Sequence, residues 1–204
     1  MSSSVSSVGA EVVPLSTEST RRQLTDRQAR TVQRLTEAAV DVVRDEGYEG
    51  LTVRDVARRA GVAPATAYTY FASKDHLVTE VFWRRLQALP DTHTDRRRTP
   101  ANRVVAAVAD IALLVADEPE LAAACTVSML GSDPDVRTLR DRIGAEMHRR
   151  VAEALGDDAD PAVQRSLDLA LTGALVQAGM GHLTYSELPD RLAELIRLVL
   201  GGDR

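Results

Sequence analysis

Residues 52–71 read TVRDVARRAGVAPATAYTYF, two short helical segments meeting at a single glycine. The Thr52 hydroxyl stands where it can cap the amide of Asp55, so a helix opens there. Val53, Val56, Ala57 and Ala60 recur at three- and four-residue steps and give that helix its apolar face. Gly61 follows, a residue free to take the left-handed conformation that a sharp turn requires. Pro64 then falls near the first position of a second helix, where its missing N–H removes no bond, and this helix is expected to run through Phe71. Val56, Ala57, Val62 and Phe71 would hold the two helices at a fixed angle, the pattern of a helix-turn-helix. The second helix is polar on its outer side, with Thr66, Tyr68, Thr69 and Tyr70, and is short enough to sit end-on in a major groove. Hydroxyls suit phosphate oxygens, while the threonine methyls and Ala65 suit thymine methyls. The same residues also fit a plain helical hairpin with half-buried tyrosines, so the motif alone leaves packing and DNA reading both open.

On either side the periodicity stays helical. A Thr25-x-x-Gln28 capping box is expected to open a first helix that buries Ala29, Val32, Leu35, Ala39 and Val42 and ends at Gly47. Ser73 caps a longer helix with Leu77, Val81, Phe82, Leu86 and Leu89 inside. A basic connector, Asp95 to Arg98, precedes five more helices. Thr99-Pro100 opens one to about Asp117, Pro119 one to Leu130, and Asp133-Pro134 one to Leu155. Asp160-Pro161 opens one to about Leu183, and Ser186 is expected to cap the last, which ends at Leu200. The expected fold is all-α with about nine helices. An N-terminal three-helix helix-turn-helix DNA-binding domain spans 25–89, a larger C-terminal ligand-binding and dimerisation domain spans 99–204, and 1–24 form a flexible tail.

The composition bounds the function. Of 204 residues, 44% are apolar and 27% charged, ordinary values for a globular protein. The most apolar stretch, Leu167 to Leu183, is broken by Asp168, Gln177 and His182, so no membrane contact is expected. The N-terminus lacks a secretory pattern and Cys125 stands alone, which fits the cytoplasm. Residues 21–98 carry 15 basic against 11 acidic side chains, whereas 99–204 carry 10 against 17, so only the N-terminal half suits a polyanion. His76, His93, His148 and His182 are scattered away from metal-ligand spacing. No nucleophile elbow appears, and Gly179-x-Gly181 lies inside a helical pattern with no strand before it. No metal, cofactor or catalytic residue is expected, and the chain does not read as an enzyme.

Across residues 28–82 the sequence resembles the TetR family of bacterial transcriptional regulators. The resemblance rests on Gly47-Tyr48, Leu51 to Ala57, Ala60-Gly61-Val62, Thr66, Tyr68, Tyr70-Phe71, Ser73-Lys74 and Leu77. It implies a homodimeric repressor that binds a palindromic double-stranded DNA operator and is released by a small apolar effector. It also implies that Thr66, Tyr68 and Lys74 grip phosphates and that Arg54 reaches a guanine edge. Ala63, Pro64, Ala65, Thr69 and Tyr70 would then face bases. Ala63 and Pro64 depart from the polar residue frequent there, which removes a side-chain cap and a hydrogen-bonding reader. Arg21, Arg22, Arg27 and Arg30 suit either a DNA-reaching arm or a solubilising tail.

In the larger domain, small residues and apolar rows on the last two helices suit a two-fold four-helix bundle. The resemblance makes Leu167, Leu171, Ala174, Leu175 and Ala178, with Leu192, Leu195, Ile196 and Val199, the dimer interface. The middle helices would enclose the effector among Trp83, Leu86, Ile111, Val115, Met129 and Met147, with Met180 alongside. Cys125, Thr126, Ser128, His148 and Gln177 are its candidate polar anchors. The competing reading is a helical ligand-binding or protein-interaction module without specific DNA binding.

Overall fold

The computed structural model describes residues 17–91, 95–157 and 160–201, with side chains from residue 26 onward. Of the tail expected over 1–24, residues 1–16 lie outside the described residues, as do His93 and the side chains of Arg21 and Arg22, while residues 17–24 are not a tail but the start of the first helix.

The described residues form nine α-helices. In chain order these are α1 (Thr17–Gly50), α2 (Val53–Arg59), α3 (Pro64–Tyr70), α4 (Lys74–Ala88) and α5 (Pro100–Ala112). They continue as α6 (Pro119–Leu130), α7 (Pro134–Leu155), α8 (Pro161–Gly179) and α9 (Leu188–Leu200). Short 3-10 turns at Leu113–Val115 and Tyr185–Glu187 precede α6 and α9.

Local chemistry explains most of the starts. The hydroxyls of Thr52, Ser73 and Thr99 accept the amides of Asp55 (3.1 Å), His76 (3.0 Å) and Asn102 (3.3 Å). The carboxylates of Asp133 and Asp160 accept those of Asp135 (2.8 Å) and Ala162 (2.7 Å). Proline opens α3, α5, α6, α7 and α8, where an amide hydrogen would have no intrahelical partner. Gly47, where the sequence placed the end of the first helix, has φ 69° and kinks the chain within α1, three residues before its end at Gly50.

Four boundaries differ from the sequence expectation. Thr25 lies inside α1, which begins at Thr17, because a Thr-x-x-Gln pattern permits a helix start without preventing good helix formers upstream from extending it. α5 gives way to a 3-10 turn after Ala112 instead of reaching Asp117. α8 stops at Gly179, short of Leu183, and Gly181 turns the chain with φ 78°. The approach to α9 is capped by Thr184, not Ser186: its backbone N–H and its hydroxyl both donate to Glu187 Oε2, at 2.8 and 2.7 Å.

One hydrophobic core runs the length of the molecule, from Leu35 and Val42 on α1 through Leu77 and Leu86 on α4 to Leu171 and Ile196 on α8 and α9. α4 lies between the two parts of this arrangement, packed on α1, α6 and α7. Its C-terminal carbonyls are held by buried Arg150 of α7, which donates to Leu86, Leu89 and Pro90 oxygens while its Nε meets Glu146 at 2.8 Å.

Candidate DNA-reading surface and ligand cavity

α2 and α3 cross at Gly61, whose φ of 60° is the left-handed conformation read from the sequence. Arg34 of α1 holds this turn from below, donating Nη2 to the carbonyls of Ala60 and Gly61. Arg59 ties α2 to α1 through Asp45 at 2.5 Å. Nothing local in the sequence marks either arginine, because both bonds span turns of chain that only the fold brings together. Ala67 and Phe71 are buried against the core, so α3 is docked by its inner face and presents its outer one.

That outer face is exposed at Ala63, Pro64, Ala65, Thr66, Tyr68 and Thr69, and Arg54 is exposed beside it on α2. Two of the expected readers are engaged within the chain. Tyr70 is half-buried and packs on the core. Lys74 donates to the Tyr48 carbonyl at 3.0 Å and lies 4.0 Å over the centre of the Tyr48 ring, so its charge is fixed at the foot of α4. The Thr69 hydroxyl donates to the Thr66 carbonyl at 2.6 Å, so it is engaged within α3. Ala63 caps α3 without a side-chain bond, as its residue type requires. Arg27 and Arg30 are exposed on α1.

Below this surface the foot of α4 meets the corner between α6 and α7. Ser73 donates to Asp133 at 2.5 Å, and Tyr48 donates to Asp75, the residue after Lys74. Burial, then the bond to Asp75, push the Tyr48 phenol up to about 12.

A cavity of about 170 Å³ lies among α4, α6, α7 and α8. Of the sequence candidates, Val115, Cys125, Met129 and Met147 line it, as does Thr126. Burial pushes the Cys125 thiol up to about 12, so it is a neutral wall group. Leu86 and Ile111 do not line it, being fully buried core residues, and neither do part-buried Trp83 or Gln177 on the exposed side of α8. Ser128 is buried outside the cavity wall, His148 faces solvent and meets Asp168 at 2.7 Å, and Met180 is exposed. Arg140, Ile143, Thr172 and Tyr185 line the cavity without having been singled out in the sequence, and Phe82, read there only as an inward residue, lines it too, because periodicity marks a residue as inward but not what it faces.

The expected dimer residues divide. Leu167, Leu171, Ala178, Leu192 and Ile196 are buried within the chain's own core. Leu175 lines the cavity, and Ala174 is half-buried. Leu195 and Val199 are exposed, as are Leu198 on the same helix (85%) and Leu169 on α8 (75%), neither of which was among the expected interface residues.

Comparison with known proteins follows the same lines. Residues 35–81, covering α2, α3 and their flanks, match the family described as bacterial regulatory proteins, tetR family. An HTH-type transcriptional regulator of Mycobacterium tuberculosis (strain ATCC 25618 / H37Rv) is 49% identical over 178 residues, 86% of this chain and 83% of the relative. The chain belongs to the tetR family. The HTH-type transcriptional repressor KstR of Mycolicibacterium smegmatis is 27% identical over 179 residues, 84% of this chain and 87% of its own. The fold of this tetR-family member is shared with a TetR transcriptional regulator from Rhodococcus sp. RHA1, at TM-score 0.70 and 19% identity, covering 87% of this chain and 99% of that one. FadR from Bacillus subtilis in complex with stearoyl-CoA matches at TM-score 0.62 and 17% identity, covering 84% and 99%.

Proposed function

We propose that this tetR-family protein is a cytoplasmic, dimeric, ligand-released repressor that reads a palindromic operator with α3. The observation that carries the reading is the outer face of α3, held rigidly by Arg34 and Ala67 and exposed from Ala63 to Thr69. Arg54 is the base reader, Thr66 and Tyr68 are the phosphate contacts, and Lys74 adds a fixed charge where α4 begins. The exposed apolar side chains of Leu169 on α8 and of Leu195, Leu198 and Val199 on α9 seat the second copy, because two recognition helices must be set about one turn of DNA apart. Residues 25–89 form the DNA-reading part and 99–204 the ligand-binding and dimerising part.

The repressor direction is supported by the likeness to KstR, and effector control by the cavity and by FadR, which holds an acyl-CoA on the same fold. Ligand in the cavity acts on α6, whose end meets α4 at its foot, and a tilt of α4 changes the spacing of the recognition helices. Selection of bound sequences from a random duplex pool at about 150 mM salt tests the proposal. A palindrome supports it, and a pool without enrichment favours a ligand-binding module without specific DNA binding.

A further inference from the structure

The cavity wall is hydrocarbon on nearly every side, yet one permanent charge stands in it. Arg140 of α7 is half-buried, lines the cavity, and donates Nη1 to the carbonyls of Met129 (2.6 Å) and Gly131 (3.3 Å) at the end of α6. Those bonds orient the guanidinium and engage Nη1 alone, leaving the donors on Nε and Nη2. Among the described residues no carboxylate pairs with Arg140, whereas Arg149 and Arg150 on the same helix share Glu146. Of the other polar groups of the wall, Tyr185 and Thr126 pair at 3.0 Å, buried Cys125 is neutral, and Thr172 adds only an uncharged hydroxyl. The cavity therefore offers a hydrocarbon slot with one unanswered cation at its edge, a site that favours an amphipathic anion over a wholly apolar molecule.

Size narrows the class. A cavity near 150 Å³ accommodates benzene, so about 170 Å³ holds on the order of six to eight carbons. We propose that the effector is a medium-chain monocarboxylate whose carboxylate pairs with Arg140 and whose tail lies among Phe82, Met129, Ile143 and Met147. This rests on the reading of the cavity as the effector site and replaces a purely apolar effector with a charged one. The same guanidinium holds the carbonyl of Gly131, and a Cβ at Gly131 would lie 3.5 Å from Asp75 of α4. Occupancy of Arg140 is thus applied at the corner that touches the foot of the DNA-reading unit.

The test compares octanoate, octanol, methyl octanoate and octanoyl-CoA on the full chain, by calorimetry and by release of the selected operator. Octanoate is expected to bind and to weaken operator binding by about tenfold, with octanol and the ester inert. Arg140→Gln is expected to lose the octanoate response while still binding operator. Because that variant also loses its bonds to the α6 carbonyls, the wild-type comparison of octanoate with octanol stands as an independent measurement. Equal binding of octanol and octanoate, response to the thioester alone, or unchanged octanoate binding by Arg140→Gln overturns the assignment. An operator-binding protein indifferent to octanoate overturns this inference alone. A protein without any operator overturns the regulator reading, and calorimetry with octanoate still decides the role of Arg140.

Discussion

The Ser73 hydroxyl donates to the Asp133 carboxylate at 2.5 Å, so the residue that caps α4 and the residue that caps α7 are joined by one hydrogen bond. Ser73 also accepts the amide of His76, and Asp133 that of Asp135. Removing the serine hydroxyl therefore uncaps α4 and detaches it from α7 at once. Ser73→Ala is expected to lose about 1–2 kcal/mol, a fall in Tm of roughly 2–4 °C per kcal/mol at this chain length. A double-mutant cycle with Asp133→Ala is expected to show coupling of at least about 0.5 kcal/mol, and strict additivity would mean that the bond contributes nothing.

Stability should also carry the mark of the ionised partners. Ser73 holds Asp133 below its ordinary 3.8, and Arg149 holds Glu146 below its ordinary 4.5. Carboxyls lowered in the folded state stabilise it above their ordinary values, and that contribution is lost as pH falls through the lowered ones. Tyr48, raised to about 12 by burial, acts in reverse: its contribution is complete below 10 and is lost as pH rises toward 12. Tm is expected to fall at both ends, and Tyr48→Phe should remove the latest step from a tyrosine absorbance titration.

How far these features were legible in the sequence follows from their range. Thr52, Ser73, Thr99 and the opening prolines act within one turn of chain, so the helices they begin could be read directly. The fold decided what was not local. Leu171 and Leu175 sit one turn apart on α8, yet one enters the core and the other the cavity, and a period of 3.6 residues makes no distinction between them. Lys74 suggested a free phosphate grip, but Tyr48, 26 residues away, accepts one of its N–H bonds and sets its ring beneath the charge. Arg140 gave no signal at all, because its meaning lies in the carboxylate it lacks.

Gly179 shows a long-range constraint of another kind. A Cβ there would stand 2.1 Å from the Thr126 hydroxyl oxygen and 2.5 Å from its Cβ, so α8 and α6 can cross only with glycine at this position. Gly179→Ala is expected to destabilise by about 1–3 kcal/mol and to disturb the Thr126–Tyr185 pair at the cavity wall. Chemical denaturation measures the first, and wild-type stability would mean that the helices separate freely.

Exposed side chains at the reading surface should separate affinity from stability. Arg54 is exposed and contributes nothing to the core, so Arg54→Ala is expected to leave Tm unchanged while weakening operator binding by about 1–3 kcal/mol and relaxing one base position. Tyr68→Phe removes a hydroxyl from a residue 52% exposed on α3 and should weaken all sequences alike. Mobility shift with a panel of single-base operator variants distinguishes the two. Uniform weakening by Arg54→Ala would assign that arginine to phosphate.

Two leucines on the last helices test where the proposed second copy would dock. Leu171 is 1% exposed, and placing a charge there buries it without a partner, so Leu171→Asp is expected to unfold the chain. Leu198 is 85% exposed and has little to do within one copy. Leu198→Asp should therefore keep the helical circular dichroism of the wild type while shifting sedimentation from dimer to monomer. Operator affinity should fall with it, because a single recognition helix makes too few contacts for a specific site. A Leu198→Asp protein that stays dimeric and binds its operator would place the two-fold contact elsewhere on the chain.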